Sequence, residues 1–158
     1  MAAEYSSNVL QNVAANGSVI FTESPVPCNR GLVFHRDESG LFRLASPSTI
    51  GYRRTCCNSM PMAIYEVSFH GNIAIPTEPA GTVEAISLAL AIDGEVDPSS
   101  IMTVTPAAVG EFWNVGADIL VSVPYICRCS SVSVKNVSTQ AVNVQNANLV
   151  IDYLGVRR

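Results

Sequence analysis

The stretch YEVSFHGNIAIP, residues 65–76, constrains the fold of this chain more than any other feature. Tyr65, Val67, Phe69, Ile73 and Ile75 fall on one parity, and Glu66, Ser68, His70 and Asn72 on the other. Successive side chains of a strand point to opposite faces, so this pattern predicts a strand with one buried side. AISLALAIDG, residues 85–94, repeats the period with a different outer face. Ile86, Leu88, Leu90 and Ile92 alternate with Ala85, Ser87, Ala89 and Ala91. Bulky residues inside and small ones outside would let a neighbour approach closely.

Further strand candidates follow at short spacing. One starts at Val19-Ile20-Phe21. Gly31 to Arg36 and Leu41 to Ala45 flank Asp37-Glu38-Ser39-Gly40, which reads as a hairpin turn with Gly40 at a positive φ. Asp93-Gly94 reads as a second turn, whose loop continues through Asp97-Pro98-Ser99-Ser100 before Ile101 to Thr105. Asp118 to Val123, Ser131 to Val137, Ala141 to Val144 and Asn148 to Leu154 bring the set to nine or ten strands. Helical signals are confined to Val9 to Ala15 and to Pro106 to Phe112, where Thr105-Pro106 resembles an N-cap followed by Pro. Many short strands between turns, without alternating helices, predict an all-β antiparallel jelly-roll sandwich.

Composition bears on what covers such a sandwich. Charged residues are 14 % of the 158, against roughly 25 % in an average soluble domain, and apolar residues are 48 %. With a mean hydropathy of +0.28, part of the surface is expected to lie against other subunits. A net charge of −4 with Lys135 as the single lysine argues against nucleic acid as a partner. Arg53-Arg54 and Arg157-Arg158 read as solvated pairs. No stretch reaches the roughly 18 apolar residues of a membrane helix. The first residues lack a basic region followed by an apolar run, so the chain is expected to fold in cytosol. Asn16-Gly17-Ser18 and Asn136-Val137-Ser138 then read as turns rather than glycosylation sites.

The candidate chemistries are few. Cys56, Cys57, Cys127 and Cys129 form the candidate thiol cluster, with Cys28 the fifth cysteine. The spacing departs from zinc knuckles, which place two to four residues between ligands, and on strands at most three of the four thiols converge. No metal or cofactor is expected; the cysteines read as small buried residues or as a disulfide, including one between chains. His35 and His70 lie outside any recognisable nucleophile and base arrangement and read as surface or interface residues, so no enzymatic activity is expected. Phe112 and Trp113 read as interface or core packing, or as a carbohydrate platform.

Segments such as NIAIP, SLALAIDGE, TPAAV and VQNANLVI, in this order between Gly17 and Leu154, resemble the complement/tumour-necrosis-factor jelly roll. They resemble in particular the small proteins encoded by phages and prophages of Firmicutes and other gut bacteria. The resemblance implies a ten-stranded jelly roll over 17–158, trimeric about a threefold axis, with the last strand central in the inner sheet. It implies an N-terminal arm over 1–16. Aromatic side chains are enriched at interfaces, and Tyr65, Phe69, Phe112, Trp113 and Tyr153 are the candidate interface positions. The role implied is a non-enzymatic capsid decoration or head-fibre protein, made in the bacterial host cytoplasm and placed on the virion, with the major capsid protein as partner. The alternative is the knob of a fibre or spore surface that binds a glycan or host surface.

Overall fold

The computed structural model describes residues 1–28, 31–36, 38–47, 61–125 and 129–157. Twelve strands stand among them: β1 Ala2–Ser7, β2 Gln11–Val13, β3 Glu23–Val26, β4 Val33–His35, β5 Phe42–Ala45, β6 Met62–Ala74, β7 Ile86–Ile92, β8 Glu95–Val96, β9 Met102–Val104, β10 Trp113–Pro124, β11 Cys129–Asn136 and β12 Val142–Arg157. They form two antiparallel sheets. The first runs β10-β6-β12-β1-β3, with β2 also on β12; the second runs β4-β5-β11-β7-β8, with β9 also on β7. The chain crosses repeatedly between sheets, so each sheet is assembled from strands distant in sequence. The last strand is central in its sheet, with β6 on one side and β1 and β2 on the other.

The inward faces meet in one core. Tyr65, Val67, Phe69 and Ile73 of β6 and Ile86, Leu88 and Leu90 of β7 are all fully buried, as the alternation requires. Each such side chain contributes roughly 1.5–3 kcal/mol by leaving water. An aromatic group fills one flank. The His35 ring stacks on Phe42 with centroids 4.3 Å apart, and Tyr5 and Phe21 lie 4.7 and 5.3 Å from Phe42. His35 is therefore a half-buried packing residue whose Nε2 hydrogen-bonds the Ser39 carbonyl at 3.0 Å, and only His70 sits on the surface.

Several expectations change in the fold. Residues 1–16 hold two strands of the first sheet rather than an arm: Ala2 to Ser7 pair with Asp152 to Ala147, and Gln11 to Val13 with Val144 to Val142. Within Val9 to Ala15 only Val13 of β2 is buried, while Val9 and Leu10 are exposed, and no helix forms there. Residues 106–112 form turns, tightened where the Ala107 amide donates to Glu111 Oε2 at 3.0 Å. In the β4–β5 hairpin the positive φ belongs to Glu38, at 59°. Gly40 is needed for close approach instead, since a Cβ there would lie 2.5 Å from the Val19 carbonyl oxygen. The two segments 141–144 and 148–154 are one strand. A bulge between Gln145 and Asn148 inserts an extra residue, so the buried parity passes from Val142 and Val144 to Ala147, Leu149 and Ile151.

Two further differences follow from packing. Ala89 and Ala91 are buried within the chain itself, and Lys135, opposite Ala89, reaches along that side to the Gly94 carbonyl at 2.9 Å. Asn136 is no surface turn residue either. It is fully buried and donates to the carbonyls of Val13 at 3.0 Å and Gln140 at 2.8 Å, while accepting from the Ser138 amide at 2.9 Å. A buried amide so satisfied costs little and ties three chain segments together.

Candidate interaction face

Strand parity decides which of the expected interface residues a partner can reach. Tyr65 and Phe69 point inward and are fully buried, so they serve the core. Their outward neighbours Ile64, Glu66, Ser68 and His70 take the surface. Tyr153 lies at a second bulge of β12, between Tyr153 and Gly155. Its ring is 5.4 Å from that of Tyr65 and its hydroxyl is hydrogen-bonded with Tyr125. The Tyr65 hydroxyl donates to the carbonyls of Ala45 and Leu32, tying the first sheet to the end of the second. Burial, with Tyr153 beside it, pushes the Tyr65 phenol well above its usual range.

Phe112 and Trp113 are 43 % and 45 % exposed at the opposite end of the sandwich. Cys56, Cys57 and Cys127, like Arg53 and Arg54, lie outside the described residues. Cys129 is exposed at the start of β11, opposite Ala45 of β5. Cys28 accepts a hydrogen bond from the Val33 amide of β4 at 3.3 Å. Both cysteines stand near enough to the Tyr65 phenol to add to the rise in its pKa that burial and Tyr153 cause.

The outward face of the first sheet is built mainly on β6 and β10, which pair in unbroken register from Met62 and Pro124 to Ile73 and Trp113. From the Tyr153 end, the outward pairs are Met62 with Pro124, Ile64 with Ser122, Glu66 with Leu120, Ser68 with Asp118, His70 with Gly116 and Asn72 with Asn114. Leu120 is 64 % exposed although Ile119 and Val121 on either side are buried. On the next strand Val150 pairs with Ser68 and Asp152 with Glu66, and Glu4 of β1 pairs with Val150.

No family model and no curated protein matches the sequence. Solved structures do match. The globular domain of zebrafish complement 1qA protein aligns over 99 % of this chain and 98 % of its own at 10 % identity, with a TM-score of 0.63. The Eiger tumour necrosis factor of S. frugiperda aligns over 100 % and 95 % at 8 % identity, also at 0.63. The fold is the complement/tumour-necrosis-factor jelly roll.

Within this jelly roll the far end of the outward face carries a row of side-chain amides. Asn114 Nδ2 donates to Asn72 Oδ1 at 3.1 Å and to the Gly71 carbonyl at 3.4 Å, and Asn72 Nδ2 donates to Asn146 Oδ1 at 3.4 Å. The row crosses β10, β6 and β12. Beside it Asn12 Nδ2 donates to Asn143 Oδ1 at 2.9 Å. Sequence reasoning missed the row because its members stand 42 and 32 positions apart and only the strand register aligns them. It also missed Leu120, although the alternation that buries Ile119 and Val121 already implies an outward leucine.

Proposed function

We propose that the chain is a non-enzymatic structural domain that assembles as a homotrimer through the apolar end of the outward face. The observation that carries this reading is Leu120, an exposed leucine on a regular strand, with Ile64, Met62 and Pro124 toward the same end. An apolar stripe on a face of otherwise polar residues is what an interface leaves when its partner is removed. Among the described residues β10 pairs only with β6, so a neighbour seated on Leu120 would also lie along the outer edge of that sheet. A threefold ring closes when one surface of each copy meets a different surface of the next.

The setting proposed is a virion, where a trimer made in the bacterial host cytoplasm ornaments a phage capsid by sitting over neighbouring copies of the major capsid protein. What supports the setting is the sequence resemblance, together with the low charge of the chain. Two measurements test the reading. Native mass at micromolar concentration is expected at three times the chain mass of 16.8 kDa, and a monomer would overturn the assembly. Sedimentation with expanded capsids is expected to show saturable binding in multiples of three, and absence of binding would remove the virion setting while leaving the trimer.

A further inference from the structure

We propose that the Trp113 end of the sandwich is a docking surface for a partner segment that carries arginine beside apolar side chains. Three loops build this end, 75–85, 105–112 and 137–141, and they are fastened to one another. The Gly110 amide donates to the Ile75 carbonyl at 2.9 Å, and a Cβ at Gly110 would lie 2.9 Å from Thr77 Cγ2. Gln140 grips Thr82 twice, its Nε2 donating to the carbonyl and its Oε1 accepting from the amide, both at 2.8 Å. On this fixed base apolar side chains stay open: Val83 is 53 % exposed, Phe112 43 % and Trp113 45 %. Trp113 shares the inward parity of Val115, but it stands past the buried core, where β10 begins. Loops that are ordered and still leave aromatic surface in water meet what a contact for another molecule requires.

Charge selects the partner. Glu78, Glu84 and Glu111 are the only charged residues of the three loops, and no lysine or arginine occurs anywhere in residues 61–125. Glu84 accepts from the Thr139 hydroxyl at 2.8 Å and Glu111 from the Ala107 amide at 3.0 Å. Both donors are neutral, and among the described residues none of these carboxylates forms an ion pair. Their charge is therefore left for a ligand to meet. A guanidinium answers both features at once, because it stacks on an indole face and binds a carboxylate through paired donors. Apolar neighbours of that arginine would cover Val83 and Phe112, whereas an anionic partner would be repelled by the same carboxylates. The surface lies at the far end of the sandwich from Met62 and Pro124, so it stands whether or not the chain assembles through Leu120.

Trp113 is the only tryptophan and is part of this surface, so its emission reads occupancy. The probe is a hexapeptide of alternating leucine and arginine, with leucine–glutamate and leucine–serine hexapeptides for comparison. The arginine peptide is expected to give a saturable change that weakens as salt rises from about 0.05 to 0.5 M, and the other two to give none. Glu78→Gln and Glu111→Gln are each expected to weaken the response roughly two- to fivefold, the scale of one exposed ion pair. Glutamine keeps the side-chain shape and an acceptor for the Ala107 amide, and unfolding midpoints check that each variant is folded. Glu95→Gln removes the same charge from β8 in the other sheet and is expected to change nothing. With a labelled peptide read by anisotropy, Trp113→Ala is expected to weaken binding about fivefold. No saturable change with the arginine peptide would overturn the proposal, as would an equal response to the serine peptide, which carries no charge. An equal loss in Glu95→Gln would reduce the effect to net charge and overturn it too. Emission that shifts with protein concentration and not with peptide would place a second copy on this end, which also defeats the proposal.

Discussion

At one end of the outward face stand Met62, Ile64, Leu120 and Pro124; about 20 Å along the same two strands stand Asn72 and Asn114. The backbone is the same at both ends, an antiparallel pair without a register break. The difference lies in what the side chains do with one another. The asparagines bond to each other and to a third strand, so they are ordered before any partner arrives. Leu120 has no such neighbour network, and its exposure persists until another surface covers it. A regular sheet therefore separates by position apolar area left open and polar groups that satisfy one another.

The largest test removes what both ends share. Phe69 is fully buried beneath the middle of β6, and Phe69→Ala is expected to cost about 3–5 kcal/mol, read as a lower midpoint in denaturant. Both ends should then fail together; a variant of native midpoint would show that the inward packing does not support the face. Leu120→Glu is more selective. A buried, unpaired carboxylate is not tolerated at an apolar contact, so the native mass should fall to that of one chain while the fold survives. If the mass is unchanged, the apolar end is not the seat of assembly.

The two ends were not equally legible in the sequence. The strand YEVSFHGNIAIP announces both its faces, and its inward residues occupy the core as the alternation demands. Tyr65 and Phe69, expected at an interface as aromatic residues, share the parity of Val67 and lie inside with it. The start of β10 was harder to see. Gly116, Ala117 and Asp118 carry weak strand preference, and the strand is held there by pairing with β6 rather than by local propensity. The first sixteen residues do not declare a strand alone, since Ala2 to Ser7 are held between β3 and β12, the latter 140 to 150 positions away. The amide row belongs to this second kind: its three members are unremarkable singly, and long-range register makes them one feature.

Alkaline pH tests the packing of Tyr5, Tyr65 and Tyr153. Burial raises the phenols of Tyr5, Tyr65 and Tyr153 above their ordinary 10.0, with Tyr125 adding to the effect on Tyr153. In the unfolded chain these groups ionise near pH 10, while in the folded chain they stay protonated to higher pH. The unfolded state therefore binds fewer protons above pH 10, and stability should fall as pH rises through that range and be complete below it. Phenolate absorbance followed beside the thermal midpoint between about pH 9 and 11 checks this. Ionisation of Tyr5, Tyr65 and Tyr153 near pH 10 without loss of structure would contradict the burial.

The smallest expected effect is on stability at the amide row itself. Asn72 and Asn114 are surface residues whose mutual bond is open to water, and such bonds contribute little net free energy because water replaces them. Asn72→Ala and Asn114→Ala should each shift stability by no more than about 0.5 kcal/mol, and the double variant by less than the sum, since removing either partner already breaks the shared bond. A double-variant cycle in urea resolves this. A coupling well above about 1 kcal/mol would mean that the row is a structural clamp on β10, β6 and β12. A coupling near zero leaves an ordered set of donors and acceptors at the surface that the fold does not require for its own stability.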